Sequence, residues 1–147
     1  MYKKVIWATD GSEAADRALP HAKALAAEGG GPLTVVYCEE FTLPGKGGGS
    51  FPIHANEDEV QAKIDQQVAE LSRNGTGATL KRTRSKVGGA AHAIAEFAVE
   101  DHADVIVVGT RGRTSLAGLL LGGVTQRLLH IAPCPVLAVP PEHGSSE

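Results

Sequence analysis

Cysteine is scarce in this sequence, and long apolar runs are absent. Only two cysteines, Cys38 and Cys134, occur among 147 residues, and they lie far apart without a Cys-x-x-Cys spacing. A disulfide framework and a zinc site are therefore both disfavoured. The first apolar run, at residues 5–8, is shorter than the core of a signal peptide, and no run approaches the length of a membrane span. These absences predict a cytoplasmic protein that does not cross a membrane.

The charges show no large excess of one sign. Fourteen basic and seventeen acidic residues give a net charge of −3, which argues against non-specific binding to nucleic acid or to an anionic membrane. One basic cluster has no interleaved aromatic side chains that would stack on bases, and such charges more often protect an exposed edge strand; it comprises Lys81, Arg82, Arg84 and Lys86. We expect no nucleic-acid partner.

Several catalytic motifs are also missing. No Gly-x-Ser-x-Gly nucleophile elbow is present, and the six histidines never pair at helical i,i+4 spacing or beside a cysteine. The glycines match neither the Walker A motif nor the Gly-x-Gly-x-x-Gly fingerprint. The sequence therefore assigns no catalytic residue, and it disfavours a conventional P-loop NTPase.

Short apolar runs alternate with segments of helical periodicity along the chain. Apolar runs predict strands at residues 4–9, 33–38, 78–87, 105–108 and 136–139. Helical spacing predicts helices at residues 13–28, 57–74, 90–102 and 124–130, and Pro20 should kink the first of these or cost it a hydrogen bond. This order predicts an α/β fold with a doubly wound, five-stranded parallel sheet and helices on both faces.

The remaining segments predict the organisation of the chain. We expect one domain over residues 1–140, with a flexible loop rich in glycine and proline at residues 41–56 and a polar tail at residues 141–147. The three glycines Gly29, Gly30 and Gly31 end the first predicted helix, and we assign them to a flexible connection.

Five glycines between Gly109 and Gly123 join the fourth predicted strand to the last predicted helix. In a doubly wound sheet, ligands bind beyond the carboxyl ends of the strands, where the winding direction reverses. Glycine lets backbone N–H groups approach a ligand, and the helix N-terminus favours a phosphate. Arg111 and Arg113 would add positive charge, and the Thr125 hydroxyl would add a donor. From the residues alone, tight turns without a ligand explain these glycines equally well.

Three segments resemble the universal stress protein family. They are residues 5–12 (VIWATDGS), 103–112 (ADVIVVGTRG) and 132–139 (APCPVLAV), and the resemblance covers nearly the whole chain apart from residues 41–56 and the tail after Pro140. The resemblance implies a Rossmann-like fold and a role in the stress response. It also implies a homodimer that forms through the last strand, Val136–Val139.

The ATP-binding branch of that family carries the signature Gly-x2-Gly-x9-Gly-Ser/Thr. Here it maps to Gly109, Gly112 and Gly122, with Gly123 in place of the usual serine or threonine. The missing hydroxyl would cost about 1 kcal/mol of phosphate binding, about tenfold in affinity at most. The resemblance thus implies an adenine nucleotide, ATP in first place and AMP or cyclic AMP as alternatives.

The resemblance also implies a set of ligand contacts. Thr9 and Asp10 would contact the nucleoside, or Asp10 would hold a Mg²⁺ ion with the phosphates, and Cys38 or its neighbour Tyr37 would line the adenine pocket. The phosphate contacts would come from Gly109, Arg111, Gly112, Gly122, Gly123, Val124 and Thr125. Two alternatives stay open: Asp10 as a turn residue that bonds its own backbone, and Cys38 as a core residue.

Two functions remain open after the sequence is read. One is a nucleotide-dependent regulatory switch, with slow ATP hydrolysis or autophosphorylation at most. The other is a dimeric scaffold of the stress response that needs no nucleotide, and Gly123 is the feature that keeps this alternative open.

Overall fold

The structure is a computed structural model that describes residues 2–39, 57–84, 89–110 and 123–141. The predicted loop at residues 41–56 and residues 142–147 of the predicted tail lie outside the described residues. So do Arg111, Gly112, Arg113 and Gly122 of the predicted phosphate segment.

The described residues form five strands and four helices in strict alternation. The strands are β1 (Val5–Thr9), β2 (Leu33–Glu39), β3 (Ala78–Arg84), β4 (Val105–Gly109) and β5 (Val136–Val139). The helices are α1 (Glu13–Gly29), α2 (Glu57–Arg73), α3 (Gly89–Asp101) and α4 (Gly123–Ile131). All strand pairs are parallel, in the order β3-β2-β1-β4-β5. The predicted doubly wound α/β sheet is therefore confirmed.

The winding direction of the sheet reverses at β1. From β1 the chain proceeds outward through β2 to β3, and it then returns to the other side of β1 for β4 and β5. Val5 lies opposite Leu33 on one side and Val105 on the other, and Trp7 lies opposite Val107. With this register, β1 and β4 end side by side, at Thr9 and Gly109. This is the switch point at which doubly wound sheets bind ligands.

The core consists of two apolar layers, one on each face of the sheet. Every residue of β1 and β4 is buried, as expected for central parallel strands covered on both faces. Trp7 and Val107 pack on the face covered by α1 and α2, whereas Ile6 and Ile106 pack on the face covered by α3 and α4. Each fully buried Ile or Val side chain stabilises the fold by roughly 1.5–3 kcal/mol.

α1 continues through Pro20 as one helix of 17 residues. Proline lacks the N–H that would bond to the Asp16 carbonyl, so the predicted loss of a hydrogen bond follows from its chemistry. The neighbouring Ala15 carbonyl accepts a hydrogen bond from Trp7 Nε1 at 2.9 Å in the buried interior. This bond satisfies the indole N–H of a fully buried tryptophan and fixes α1 on the sheet.

Backbone packs against backbone where α1 ends. A Cβ atom at Gly29 would overlap the Tyr2 carbonyl, and one at Gly31 would overlap the Lys3 carbonyl. Gly30 adopts a left-handed conformation (φ +72°) and caps the helix by donating to the Ala26 carbonyl at 3.0 Å. The assignment of these glycines to a flexible connection is therefore wrong at Gly29 and Gly31, where close packing requires the absence of a side chain.

Asp104 joins the start of β1 to the segment that leads into β4. Its carboxylate accepts hydrogen bonds from the backbone N–H groups of Lys4 at 2.8 Å and Lys3 at 2.9 Å. These two bonds, that from Lys4 first, lower the pKa of Asp104 below its ordinary value. Burial, with a smaller contribution from Asp104, raises the pKa of the Cys134 thiol, which favours the unreactive protonated form.

The two edge strands differ in chemistry. β3 carries basic side chains, as predicted for an edge: Arg82 pairs with Asp65 of α2 at 3.0 Å, and Lys81 lies 5.6 Å from the Phe97 ring centre. β5 is short and apolar, and its Leu137 is 39% exposed. None of the described helices is long and apolar enough to cross a membrane.

Candidate functional site

A tight turn follows β1 and starts α1. Thr9 Oγ1 accepts a hydrogen bond from Gly11 N at 3.0 Å, and Asp10 Oδ1 accepts one from Ser12 N at 2.9 Å. Ser12 then caps α1, because its hydroxyl accepts from Ala15 N at 3.2 Å. Gly11 has a φ of +83°, a conformation that favours glycine. Residues 10–12 are called the β1 turn below.

Asp10 adopts the geometry of the turn alternative. Its carboxylate bonds the backbone two residues on, as Asp commonly does in turns, and the residue is half-buried. An ionised carboxylate has about four acceptor sites on its two oxygens. The bond to Ser12 and a ligand contact are therefore compatible.

Gly109 ends β4 directly against the first turn of α1. A Cβ atom at this position would lie 2.5 Å from the Ala14 carbonyl oxygen, closer than real Cβ contacts. Any side chain at Gly109 would therefore push α1 away from the sheet. The structure thus brings together two predicted parts of the site at the switch point. These are the β1 turn, which follows β1, and Gly109, which ends β4.

α4 begins at the same edge of the sheet. The Thr125 hydroxyl donates a 2.7 Å hydrogen bond to the Gly109 carbonyl, and both groups are buried. The sequence-based prediction gave this hydroxyl to a ligand as a donor, but its proton is used within the fold. The donor that Thr125 can offer a ligand is its backbone N–H, because the first four N–H groups of a helix have no partner within that helix.

Gly123 is the first residue of α4 and is exposed. Among the residues that the structure describes, no atom lies within 4 Å of a Cβ atom built at this position. Packing against those residues therefore does not explain why glycine stands where the family signature has serine or threonine. Gly123, Val124 and Thr125 together present the amino end of α4, where the helix dipole favours an anion.

Cys38 lies in β2, one residue beyond Tyr37, which pairs with Thr9. Cys38 is 8% exposed and pairs with Thr83 of β3. Its burial is typical of a core cysteine, the alternative left open by the sequence. Its register brings it close to the level of Asp10 at the carboxyl edge, so a contribution to an adenine pocket stays a prediction.

Sequence reasoning missed the contribution of α2 to this edge. Lys63 Nζ donates to the Gly11 carbonyl at 2.9 Å and to Asp16 Oδ2 at 2.7 Å. Lys63 lies three residues after Val60 and one before Ile64, so it borders the apolar stripe of α2. That spacing indicates a half-buried lysine, but it does not indicate which residue the lysine meets in another element.

The described residues contain no group of three or more His, Cys, Asp or Glu side chains arranged to hold a metal ion. Asp10 supplies a single carboxylate at the switch point. The site therefore combines one acidic group at the end of β1 with backbone donors at the start of α4, an arrangement suited to an anionic ligand that also carries hydroxyl or amine donors.

A family model describes the whole of this architecture. The model of the universal stress protein family matches residues 1–140. The chain belongs to the universal stress protein family. A family member of Thermus aquaticus is 35% identical over 141 residues, which cover 95% of this chain and 99% of the relative. The structure of universal stress protein UspA from Lactobacillus plantarum superposes with a TM-score of 0.77 at 20% identity, covering 94% of this chain and 97% of that one.

Solved structures within this family hold adenine nucleotides. A universal stress protein in complex with cAMP has a TM-score of 0.62 at 26% identity and covers 96% of this chain and 98% of its own. The universal stress protein of Archaeoglobus fulgidus in complex with dAMP has a TM-score of 0.64 at 24% identity and covers 95% and 98%. At that identity the second likeness shows the fold alone.

Proposed function

We propose that residues 1–140 form one cytoplasmic domain that binds an adenine nucleotide as a regulatory switch of the stress response. ATP is the first candidate, with AMP and cyclic AMP as alternatives. The observation that supports this proposal is the 2.7 Å bond from Thr125 to the Gly109 carbonyl. It ties the amino end of α4 to the end of β4, beside the β1 turn, and so joins anion-binding donors to the switch point.

The proposal gives each site residue a role. Backbone N–H groups would hold the phosphates, Arg111 would add positive charge, and Gly109 would keep the strand end close to α1. The side chains of Thr9, Asp10 and Cys38 would contact the nucleoside, and Asp10 would also hold a Mg²⁺ ion that screens the phosphate charge. The backbone donors are those of Gly112, Gly122, Gly123, Val124 and Thr125. No residue is assigned a role in hydrolysis.

Isothermal titration calorimetry on the purified protein tests this proposal with ATP, AMP and cyclic AMP in turn. We expect a dissociation constant in the micromolar range for at least one of them. Asp10→Ala should weaken that binding, whereas Asp65→Ala, which removes a carboxylate paired with Arg82 away from the switch point, should leave it unchanged. Absence of binding heat with all three nucleotides would exclude the proposed function.

The exposed edge of β5 supports a homodimer that forms through Val136–Val139. An apolar strand left unpaired at a sheet edge promotes association with another strand, and Leu137 is 39% exposed there. Leu137→Glu should therefore convert a dimer to a monomer in light-scattering measurements. Val99→Glu is the matched control, because Val99 is 57% exposed on α3 and belongs to no edge strand. A monomeric wild-type protein would rule the dimer out.

The same two measurements address the scaffold alternative. Gly123 favours it, because the hydroxyl of the family signature is missing from an exposed position that none of the described residues crowds. A dimer that binds none of the three nucleotides would favour the scaffold over the switch.

A further inference from the structure

One lysine of α2 reaches the β1 turn. Lys63 Nζ donates one hydrogen bond to the Gly11 carbonyl at 2.9 Å and another to Asp16 Oδ2 at 2.7 Å. Gly11 is the middle residue of the β1 turn, and Asp16 lies in the first turn of α1, which that turn starts. A single ammonium group therefore joins the β1 turn, α1 and α2. Both bonds involve a charged donor, which makes them stronger than neutral hydrogen bonds.

Gln67 holds the other oxygen of the same carboxylate. Its Nε2 donates to Asp16 Oδ1 at 2.9 Å, while its own Oε1 is buried and has no hydrogen-bond partner in the described part of the chain. A buried acceptor without a partner is unfavourable. The arrangement therefore holds Asp16 in place but leaves one oxygen of Gln67 unsatisfied. The carboxylate of Asp16 is thus held on both oxygens from α2.

Val60 adds an apolar contact at the same point. A Cβ atom at Gly11 would lie 2.7 Å from Val60 Cγ1, so this valine packs directly on the β1 turn. Val60, Lys63 and Gln67 are spaced by three and four residues and therefore lie on one face of α2. One face of α2 thus contacts Gly11 and Asp16 through one apolar and three polar contacts.

We propose that Lys63 is a positioning residue for nucleotide binding, which holds the β1 turn, and with it Asp10, in the conformation that meets the ligand. This inference rests on the proposed function, because Asp10 matters only if a nucleotide binds. The Gly11 carbonyl lies directly after Asp10 in the chain. Without the bond from Lys63, the turn would sample more conformations, and the nucleotide would have to order it on binding.

Three variants test the role of Lys63. Lys63→Met removes both charge-assisted bonds and keeps the length of the side chain, whereas Lys63→Arg keeps a cation that can donate to Gly11 and Asp16. Arg82→Met is the matched control, because Arg82 also contacts α2 through an aspartate and a glutamine but joins it to β3. Arg82 Nη2 lies 3.0 Å from Asp65 Oδ1, and Nη1 donates to Gln61 at 3.2 Å.

Calorimetry with ATP and amide hydrogen exchange without nucleotide are both measured for each variant. We expect Lys63→Met to weaken ATP binding about tenfold, a size typical of one lost charge-assisted contact. Lys63→Arg should restore most of the affinity. Arg82→Met should leave the affinity unchanged, although it should lower the urea midpoint about as much as Lys63→Met does. If Lys63→Met folds poorly, Asp16→Asn takes its place as the test. This variant keeps the size of the side chain and should also weaken ATP binding.

Hydrogen exchange separates failure of this inference from failure of the proposed function. The amides of Gly11 and Ser12 are protected by their bonds to Thr9 and Asp10, so Lys63→Met should speed their exchange whether or not a nucleotide binds. If these amides exchange faster in Lys63→Met but the wild-type protein binds no nucleotide, the proposed function is overturned and, with it, the binding role of Lys63. Unchanged exchange and unchanged ATP affinity in Lys63→Met would overturn the inference alone.

Discussion

At the amino end of the sheet, backbone packs on backbone, whereas the carboxyl end combines one such contact with a glycine that no described residue crowds. Gly29 and Gly31 leave no room for a Cβ atom beside Tyr2 and Lys3. At the carboxyl end, no atom of the described residues lies within 4 Å of a Cβ atom at Gly123. The same residue type therefore serves close packing at the amino end but not at Gly123. This difference assigns the amino end to the stability of the fold, and it agrees with the proposal that a ligand binds at the carboxyl end.

Gly29→Ala should give the largest effect, and this effect should be on the stability of the fold alone. The new methyl group would overlap the Tyr2 carbonyl, and forcing an extra carbon into a packed site typically costs about 1–3 kcal/mol or more. Gly77→Ala is the matched control, because its Cβ meets no atom of the described ranges within 4 Å and alanine restricts the unfolded chain. Urea unfolding should show a lower midpoint for Gly29→Ala only. Equal midpoints for the two variants would contradict the packing argument.

Gly109→Ala should lower both stability and nucleotide affinity, and it therefore distinguishes the two ends. Its Cβ would lie 2.5 Å from the Ala14 carbonyl, so α1 and the β1 turn must shift, at a cost of about 1–3 kcal/mol. The shift would also move Asp10 relative to the start of α4. Calorimetry with ATP at a temperature where the variant is folded should show weaker binding. Wild-type affinity in a destabilised Gly109→Ala would mean that the β1 turn does not take part in the site.

The alternation of elements could be predicted from the sequence because it is a local property. Apolar runs such as residues 105–108 and the helical spacing of α2 depend on near neighbours, and the structure confirms both. Gly109 shows where such reasoning stops. From the sequence, we predicted that this glycine lets a ligand approach the backbone, whereas the structure shows that α1 occupies the space beside it. Both explanations require the same absence of a side chain, so residue type could not separate them.

Contacts between distant segments could not be predicted. Lys63 and Gly11 are 52 residues apart and meet only because α2 packs beside α1 on the same face of the sheet. Gly29 meets Tyr2 for a similar reason, since the chain returns to its own start after one helix. The position of the switch point, in contrast, was predictable, because the topology follows from the alternation of elements and fixes which strand ends are adjacent.

Gly123→Ser tests the carboxyl end by adding a side chain at a glycine that no described residue crowds. The added side chain meets no described residue and restores the hydroxyl of the family signature, so we expect ATP to bind up to about tenfold more tightly. Serine is also a better helix former than glycine, so stability should rise slightly. Gly123→Ala separates these effects, because it adds the methyl group without the hydroxyl. Equal ATP affinities for the serine and alanine variants would show that the hydroxyl does not reach the phosphates.

Asp104→Asn should give the smallest effect, a slightly lower urea midpoint near neutral pH that disappears as the pH falls. Backbone hydrogen bonds from Lys4 and Lys3 lower the pKa of Asp104 in the folded protein below its unfolded value of 3.8. The ionised carboxylate therefore stabilises the fold above that value, and this contribution is lost as the pH falls through the lower, folded pKa. Urea midpoints measured from neutral pH down to about pH 2 should fall less steeply for Asp104→Asn than for the wild type. Because Asp104 lies at the amino end of the sheet, ATP affinity at neutral pH should not change. Parallel acid profiles for the variant and the wild type would show that these two hydrogen bonds do not persist in solution.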